Sequence, residues 1–489
     1  MANHAVESTE EEKRMYCETG KRQAEEKNMK SYIEFLKSKE FLAKTCGIEM
    51  PVETIKKKFP SLFDYQVDIV RWAVAKGRSA IFAGTGLGKT RMQLAWASVV
   101  GGDVLIFAPL AVDHQTVKEG EKMGLAVHIA TSNEDVRPGI NITNYEKMDK
   151  FDFSRFHGLV LDESSILKSQ TGKIRTELIN KSKDVPFRLA CTATPAPNDY
   201  MELGNHSEFL GIMTELEMLA MFFIHDGSNT SKWRLKGHAV SDFWEWVSSW
   251  AVMMTNPTDL GYDGEKFELP PLTIRQITVQ TETMDGFLFP VEASTLQERQ
   301  QARRESITQR VAAAAELVNQ SQDTWLIWCN LNAEGEALKV AIPGAVEVKG
   351  SDKAEYKTQT MEDFSDRKIR VLISKPSICG FGMNWQHCHN MIFVGLSDSF
   401  EQYYQAVRRC WRFGQTHEVN VYFVVADTEG AVVANIRRKE QDFECMLKGM
   451  IQATQHITEN NIRSTKRQQS RYEPHTAMRL PEWLKGETA

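Results

Sequence analysis

Short apolar runs recur along most of the chain, separated by stretches in which apolar residues return every three or four positions. SAIFA, DVLIFAP, GLVLD and RLACTAT form a first series of runs; TWLIWC, AVEVKG, RVLIS, MIFVGL and VNVYFVVAD form a second. Brief β-rich runs alternating with helical periodicity predict parallel sheets covered by helices on both faces. Two series predict two α/β domains, over residues 51–210 and 271–450. Residues 211–270 follow neither pattern: they carry Trp233, Trp244, Trp246 and Trp250 and end in the loop NPTDLGYDGEKFELPPL. They are expected to form an aromatic-rich helical extension, with Pro270-Pro271 opening a linker. Residues 1–50 read as a charged tail with a helical pattern in SYIEFLKSKEFLAK, and residues 451–489 as a polar, basic tail.

The first series contains AIFAGTGLGKTRMQLAWASVV, residues 80–100. Strand, glycine loop, Lys-Thr and helix is the order of a P-loop. Glycines let backbone N–H groups approach phosphates, and the helix N-terminus adds its positive dipole end. Gly84, Thr85, Gly86, Leu87 and Gly88 would form the cradle, Lys89 would reach the β- and γ-phosphates, and the Thr90 hydroxyl would ligate Mg2+. The strict form of the motif has glycine where this chain has Ala83. A P-loop also needs a carboxylate site, and FHGLVLDESS supplies one. Asp162 and Glu163 stand at the carboxyl end of a strand, where open α/β sheets bind ligands. Asp162 is expected to hold magnesium and Glu163 to deprotonate the attacking water. ATP and Mg2+ are therefore the expected cofactors.

In EQYYQAVRRCWRFGQ, residues 401–415, Gln405, Arg409 and Arg412 fall at i, i+4 and i+7, one face of a helix. Two arginines far from the P-loop in sequence fit a finger supplied by the second domain, which stabilises charge on a transferring phosphoryl group.

Composition narrows the partners. The net charge of -6 makes any nucleic-acid site a local basic surface on an acidic body. No apolar run approaches the roughly 18 residues a membrane span needs, and the polar N-terminus does not read as a secretory signal. Eight scattered cysteines without a CxxC pair point to reduced thiols and a cytoplasmic setting. Cys379, His387, Cys388 and His389 lack zinc-ligand spacing and read as packing and loop residues. Trp246 and Trp250, at i and i+4, favour core packing over base stacking. Lys232, Arg234 and Lys236 around Trp233, and the basic run 463–471, are candidate phosphate contacts.

The set of motifs resembles the superfamily-two helicases and translocases, most closely their Swi/Snf-type branch, in a compact bacterial or bacteriophage form. The resemblance covers nearly all of residues 60–430. AGTGLGKT fits that superfamily's own P-loop, AxTGxGKT, which accounts for Ala83. Gln66 in DYQVDIVRW sits at the adenine-reading glutamine of the Q motif. FAPLAVDHQTVKE looks like motif Ia, ITNYEKM like Ib, DESS stands at motif II, and TATPAPN looks like motif III. WLIWCN looks like motif IV and CGFGMNW like motif V; QAVRRCWRFGQ matches the Swi/Snf motif VI pattern QAxxRxHRxGQ. The resemblance implies two RecA-like domains with ATP between them. Gly382 would join the nucleotide site, and Thr192, Thr194 and Gln405 would couple the site to movement. Pro109, Thr143, Asn144, Tyr145, Ser374, Gly380 and Asn384 would line a nucleic-acid track. The implied activity is ATP hydrolysis coupled to movement along DNA, with duplex favoured over a single strand.

Departures bear on the coupling. Ser165 and Trp411 replace histidines of motifs II and VI, and motif V has one extra residue between Ser374 and Gly380. Arg412 is followed by Phe-Gly-Gln where RNA-type enzymes end in GRxGR, which favours DNA over RNA. Three other readings stay open: a strand-separating DNA or RNA helicase, an ATP-gated clamp, and a motor subunit in a replication, recombination or defence complex. The expected protein is a monomer in the bacterial cytoplasm, or the host cytoplasm if phage-encoded.

Overall fold

The computed structural model describes residues 42–109, 112–168, 172–226, 229–280, 301, 303–379, 383–397 and 399–463. Two parallel sheets carry the fold. The first has seven strands in the order β3-β4-β2-β5-β6-β1-β9. These are β1 (Arg78–Ala83), β2 (Val104–Ala108), β3 (Val127–Ile129), β4 (Ile140–Asn144), β5 (Gly158–Asp162), β6 (Phe187–Thr192) and β9 (Ala251–Met254). Strands β1, β2, β5 and β6 are almost wholly buried. Their continuous apolar runs follow from that burial, because helices cover both faces. Two core clusters flank the sheet, one through Leu105, Phe107, Leu159 and Leu161, the other through Ile81, Ile106, Val160 and Leu189.

The second sheet has six strands in the order β10-β15-β14-β11-β13-β12. They are β10 (Leu272–Val279), β11 (Trp325–Trp328), β12 (Val346–Val348), β13 (Val371–Ser374), β14 (Asn390–Phe393) and β15 (Val419–Ala426). The expected class, two α/β domains with parallel sheets, is the one observed.

Residues 211–270 differ from a purely helical extension. An antiparallel hairpin, β7 (Phe223–Asp226) with β8 (Asn229–Leu235), precedes the helix Val240–Ser248. The chain then returns as β9, which pairs in parallel with β1 and closes the edge of the first sheet. Trp246 and Trp250 are fully buried, with ring centroids 5.4 Å apart. The core-packing reading of these tryptophans is the one observed.

The expected start of the basic tail at 451 falls inside a 34-residue helix, Gly430–Arg463. At 1.5 Å per residue it runs for about 50 Å. Its first turns pack Val432, Val433 and Ile436 into the core of the second domain. Further on, Met450 and Ile451 join one core of the first domain and Ile462 the other. Near its end the Arg71 guanidinium donates to the Ile462 carbonyl, and Asn461 Nδ2 donates to Ser248 O at 3.3 Å. Of the expected basic tail, Lys466, Arg467 and Arg471 lie outside the described residues. Among the described residues, no helix is long and apolar enough to cross a membrane.

Candidate active site

Strand β1 delivers Ala83 to the loop Gly84–Gly88, and the helix Lys89–Val100 leaves it. Gly86 and Gly88 have φ of 92° and 77°, left-handed values at which a side chain would be strained. The loop holds the Lys89 ammonium 3.0 Å from Ala83 O and 3.5 Å from Gly84 O. Burial lowers the lysine pKa, and Glu163 and Asp162 oppose that shift. Thr90 is half-buried one residue further on, and the buried Thr85 Oγ1 has no hydrogen-bond partner among the described residues.

The carboxylates come from β5, two strands away in the sheet. Gln93 Nε2 donates to Asp162 Oδ1 at 2.7 Å, and the Tyr145 hydroxyl donates to Asp162 O, also at 2.7 Å. Burial, reinforced by the Glu163 charge, raises the Asp162 pKa to about 6. Glu163 leaves the strand with φ of 52°. A non-glycine residue there costs about 1–3 kcal/mol and persists only where its surroundings hold it. Thr192 Oγ1, at the end of β6, lies 3.4 Å from Glu163 Oε2 and accepts from Thr194 N at 3.1 Å. Thr194 Oγ1 is buried and lacks a partner among the described residues.

The second domain meets these groups through residues after the helix Phe400–Val407. The helical face expected over Gln405–Arg412 is not continuous. The helix ends at Val407, and tight turns follow: Arg409 N donates to Ala406 O, and Arg412 N to Cys410 O. Trp385 N donates to Arg409 O, so the backbone is drawn toward the neighbouring loop instead of into another helical turn. Gln405 still meets Arg409, its Oε1 accepting from Arg409 NH2 at 3.1 Å. Both guanidiniums donate to Met383 O, at 3.1 Å for Arg409 and 3.4 Å for Arg412. Burial and the adjacent Arg409 push the Arg412 pKa down to about 9, while Glu163 across the interface opposes the shift. Burial likewise lowers Arg409, and Glu163 and Asp162 oppose it.

Contact between the domains is close at this point. A Cβ on Gly86 would come within 2.8 Å of Phe413 N, so only glycine lets Phe413 rest on the loop. Phe413 stacks on Phe267 of the linker at 4.8 Å, and Phe267 meets Phe63 and Tyr65 edge-on. Two ion pairs also cross the interface: Lys118 with Glu362 at 2.6 Å, and Lys168 with Glu401.

These residues fit a magnesium polyphosphate. Lys89 and Arg409, both buried, and the half-buried Arg412 form a cationic group that an anion would stabilise. Asp162, whose charged form burial and Glu163 disfavour, would be relieved by a divalent cation beside it.

The other expected site residues divide. Gln66 is buried behind the loop; its Oε1 accepts from Phe63 N, and its Nε2 donates to Leu87 O and to the Tyr65 hydroxyl. Its amide therefore holds the loop in this structure and does not present itself to a base. Thr143, Asn144, Tyr145 and Ser374 are buried, with Ser374 Oγ donating to Val348 O at 3.0 Å. Their side chains lie beneath the surface, while Pro109 and Asn384 are half-buried. Gly380 and Gly382 lie outside the described residues. Lys236 Nζ donates to Ala220 O and Met221 O, Arg234 is exposed, and the side chain of Lys232 lies outside the described residues. Cys379 and Cys388 are core residues, His387 meets Phe364 edge-on, and His389 stacks on His417. Gln93, Phe267 and Phe413 were not singled out in the sequence. Phe413, next to Arg412, is the one that its position could have indicated.

No curated protein matches the chain. Residues 309–414, from inside the helix Ile307–Asn319 through the two arginines to Gly414, match the family model of the helicase conserved C-terminal domain. With the two parallel-sheet domains, which fit the RecA-like arrangement, this match supports a nucleic-acid helicase or translocase of the superfamily-two type.

Proposed function

We propose that the protein is an ATP-dependent translocase that moves along DNA, with duplex as its track. One observation carries the reading: Lys89, Asp162 and Glu163 of one domain and Arg409 and Arg412 of the other converge on a single interface, where Lys89, Asp162 and Arg409 are buried and Glu163 and Arg412 half-buried. Residues 51–210, completed by β9, would be the ATP-binding domain, and residues 271–450 the closing domain.

Each side chain has a part. The loop Gly84–Gly88 and Lys89 would bind the phosphates, while Thr90 and Asp162 would hold magnesium. Bound magnesium would neutralise phosphate charge. Glu163, turned out of β5, takes a proton from the attacking water on its carboxylate. Arg409 and Arg412 stabilise negative charge that develops in the transition state. Thr192, Thr194 and Gln405 link the carboxylate and the arginines to the segments around them. Closure excludes water, because Phe413 and Phe267 seal the rim of the loop. Arg412-Phe413-Gly414-Gln415 favours DNA over RNA as the track, whose contacts would be mainly to phosphate.

Steady-state ATPase at one salt concentration tests this, without nucleic acid and then with matched duplex DNA, single-stranded DNA and RNA, using Glu163→Gln as blank. Stimulation strongest with duplex is the expected result. A preference for single strands or RNA moves the reading to a strand-separating helicase. No stimulation by any of them leaves a nucleotide-gated clamp or a motor that waits for a partner.

A further inference from the structure

We infer that His206 is a positioning residue for Glu163, acting through Ser164; the inference rests on the reading of Glu163 as the base that activates water. His206 lies on the helix Glu202–Leu210, more than 40 residues beyond β5, and is fully buried. Its Nε2 is 3.1 Å from Ser164 Oγ, and its Nδ1 is 3.4 Å from Glu202 O. Both ring nitrogens therefore have a partner, Nε2 at Ser164 and Nδ1 at the Glu202 carbonyl. A neutral imidazole donates at one nitrogen and accepts at the other, and a hydroxyl does both, so the Ser164–His206 bond forms in either tautomer. Burial lowers the His206 pKa to about 4, which keeps the ring in this neutral form.

The position of the bond gives it meaning. Ser164 directly follows Glu163, whose left-handed backbone needs external support. It also opens the short 3-10 turn Ser164–Lys168, in which Ile166 N donates to Glu163 O. Fixing Ser164 therefore fixes the direction in which the Glu163 side chain leaves the strand. On its other side the ring meets Phe82 edge-on at 5.1 Å, and Phe82 is the residue before Ala83 at the mouth of the P-loop. The helix start is itself tied to the segment after β6: Asn198 N and Nδ2 donate to Glu202 at 3.2 and 2.7 Å. Thr192, at the end of β6 itself, touches Glu163. His206 thus closes a ring of contacts around the carboxylate, linking strands β1, β5 and β6. A histidine that only filled the core would need no hydrogen-bond partner beside Glu163.

The test compares kcat and KM for ATP in His206→Phe, His206→Gln, Ser164→Ala and the double variant His206→Phe/Ser164→Ala. Phenylalanine keeps the ring against Phe82 but removes the hydrogen-bonding nitrogen; the glutamine amide restores a hydrogen-bonding group. The expected result for His206→Phe is a loss of kcat of roughly 10- to 100-fold, as a small displacement of a reacting group produces, with KM for ATP little changed. Glutamine should recover most of the rate. Ser164→Ala should match His206→Phe, and the double variant should be no slower than either single one. Wild-type kcat in His206→Phe overturns the inference, as does a rise in KM that accounts for the whole loss. Multiplying losses in the double variant also overturn it. If His206→Phe fails to fold, Ser164→Ala decides alone: undiminished kcat there overturns the inference. Wild-type turnover that Glu163→Gln leaves intact overturns the inference and the proposed function together; turnover lost in Glu163→Gln but intact in His206→Phe overturns only the inference.

Discussion

Lys89 and Glu163 stand at the two ends of the proposed chemistry, and their variants should fail differently. Lys89→Ala removes the ammonium that the loop holds over its own carbonyls, so loss of nucleotide binding is expected, read with a fluorescent ATP analogue. Glu163→Gln should bind that analogue normally while turnover falls about 10²–10⁴-fold, the usual worth of a positioned base. Arg412→Ala should slow hydrolysis by ~10³–10⁵, with a much smaller change in affinity; a pure affinity loss would remove it from the transition state. The acid limb of the pH profile belongs to Asp162. Its carboxyl is raised to about 6 by burial and by Glu163, so it gains a proton as pH falls through 6. Magnesium-dependent nucleotide binding should therefore weaken below pH 6 and be restored by higher magnesium, which competes with the proton; a limb insensitive to magnesium would point to another group. At this scale the sequence was most legible where chemistry imposes spacing. Lys89, Thr90, Asp162 and Glu163 sit beside strands that aim them, and a strand end followed by glycines or acids is visible in a row of letters. His206 and Gln93 were not legible, since each acts through one hydrogen bond made across the fold.

The elements show the same division. The strands read from their apolar runs, such as GLVLD and VNVYFVVAD, are present because both sheet faces are covered. Strand β9, AVMM, is a four-residue run between a tryptophan-rich helix and the Asn256-Pro257 turn, too short to stand out as a strand; its partner β1 lies some 170 residues earlier, at Ala80–Ala83. Strand β10, LTIRQITV, alternates polar and apolar residues as an edge strand does, and is half-exposed. The helix Gly430–Arg463 was legible only in its first half, because its later turns bury scattered single residues against another domain. Tryptophans 246 and 250 had two readings, and burial decides between them. Trp246→Ala should cost about 3–5 kcal/mol of stability, as truncation of a buried ring does, measured by chemical denaturation. A loss of nucleic-acid affinity at unchanged stability would instead place the ring in a binding surface.

For the whole molecule, charge and connectivity set the behaviour. A protein of net charge -6 gains no general attraction for DNA, so binding must come from a limited set of basic contacts. The logarithm of its affinity should then fall linearly with the logarithm of salt concentration, with a slope of about -0.9 per phosphate neutralised on duplex. A flat salt dependence would speak against a phosphate-tracking surface. Connectivity constrains motion more tightly than charge does. The polypeptide passes from the first domain to the second through the segment after Leu260, and it comes back through the helix Gly430–Arg463, which is anchored in the cores of both. Two bodies joined by one strap can turn about any axis, but a second, stiff strap leaves them little more than a swing about one line. A door hung in this way opens along the same arc each time, and a motor hung in this way would deliver a stroke of one length, set by where the hinge line lies and not by how much energy each cycle releases.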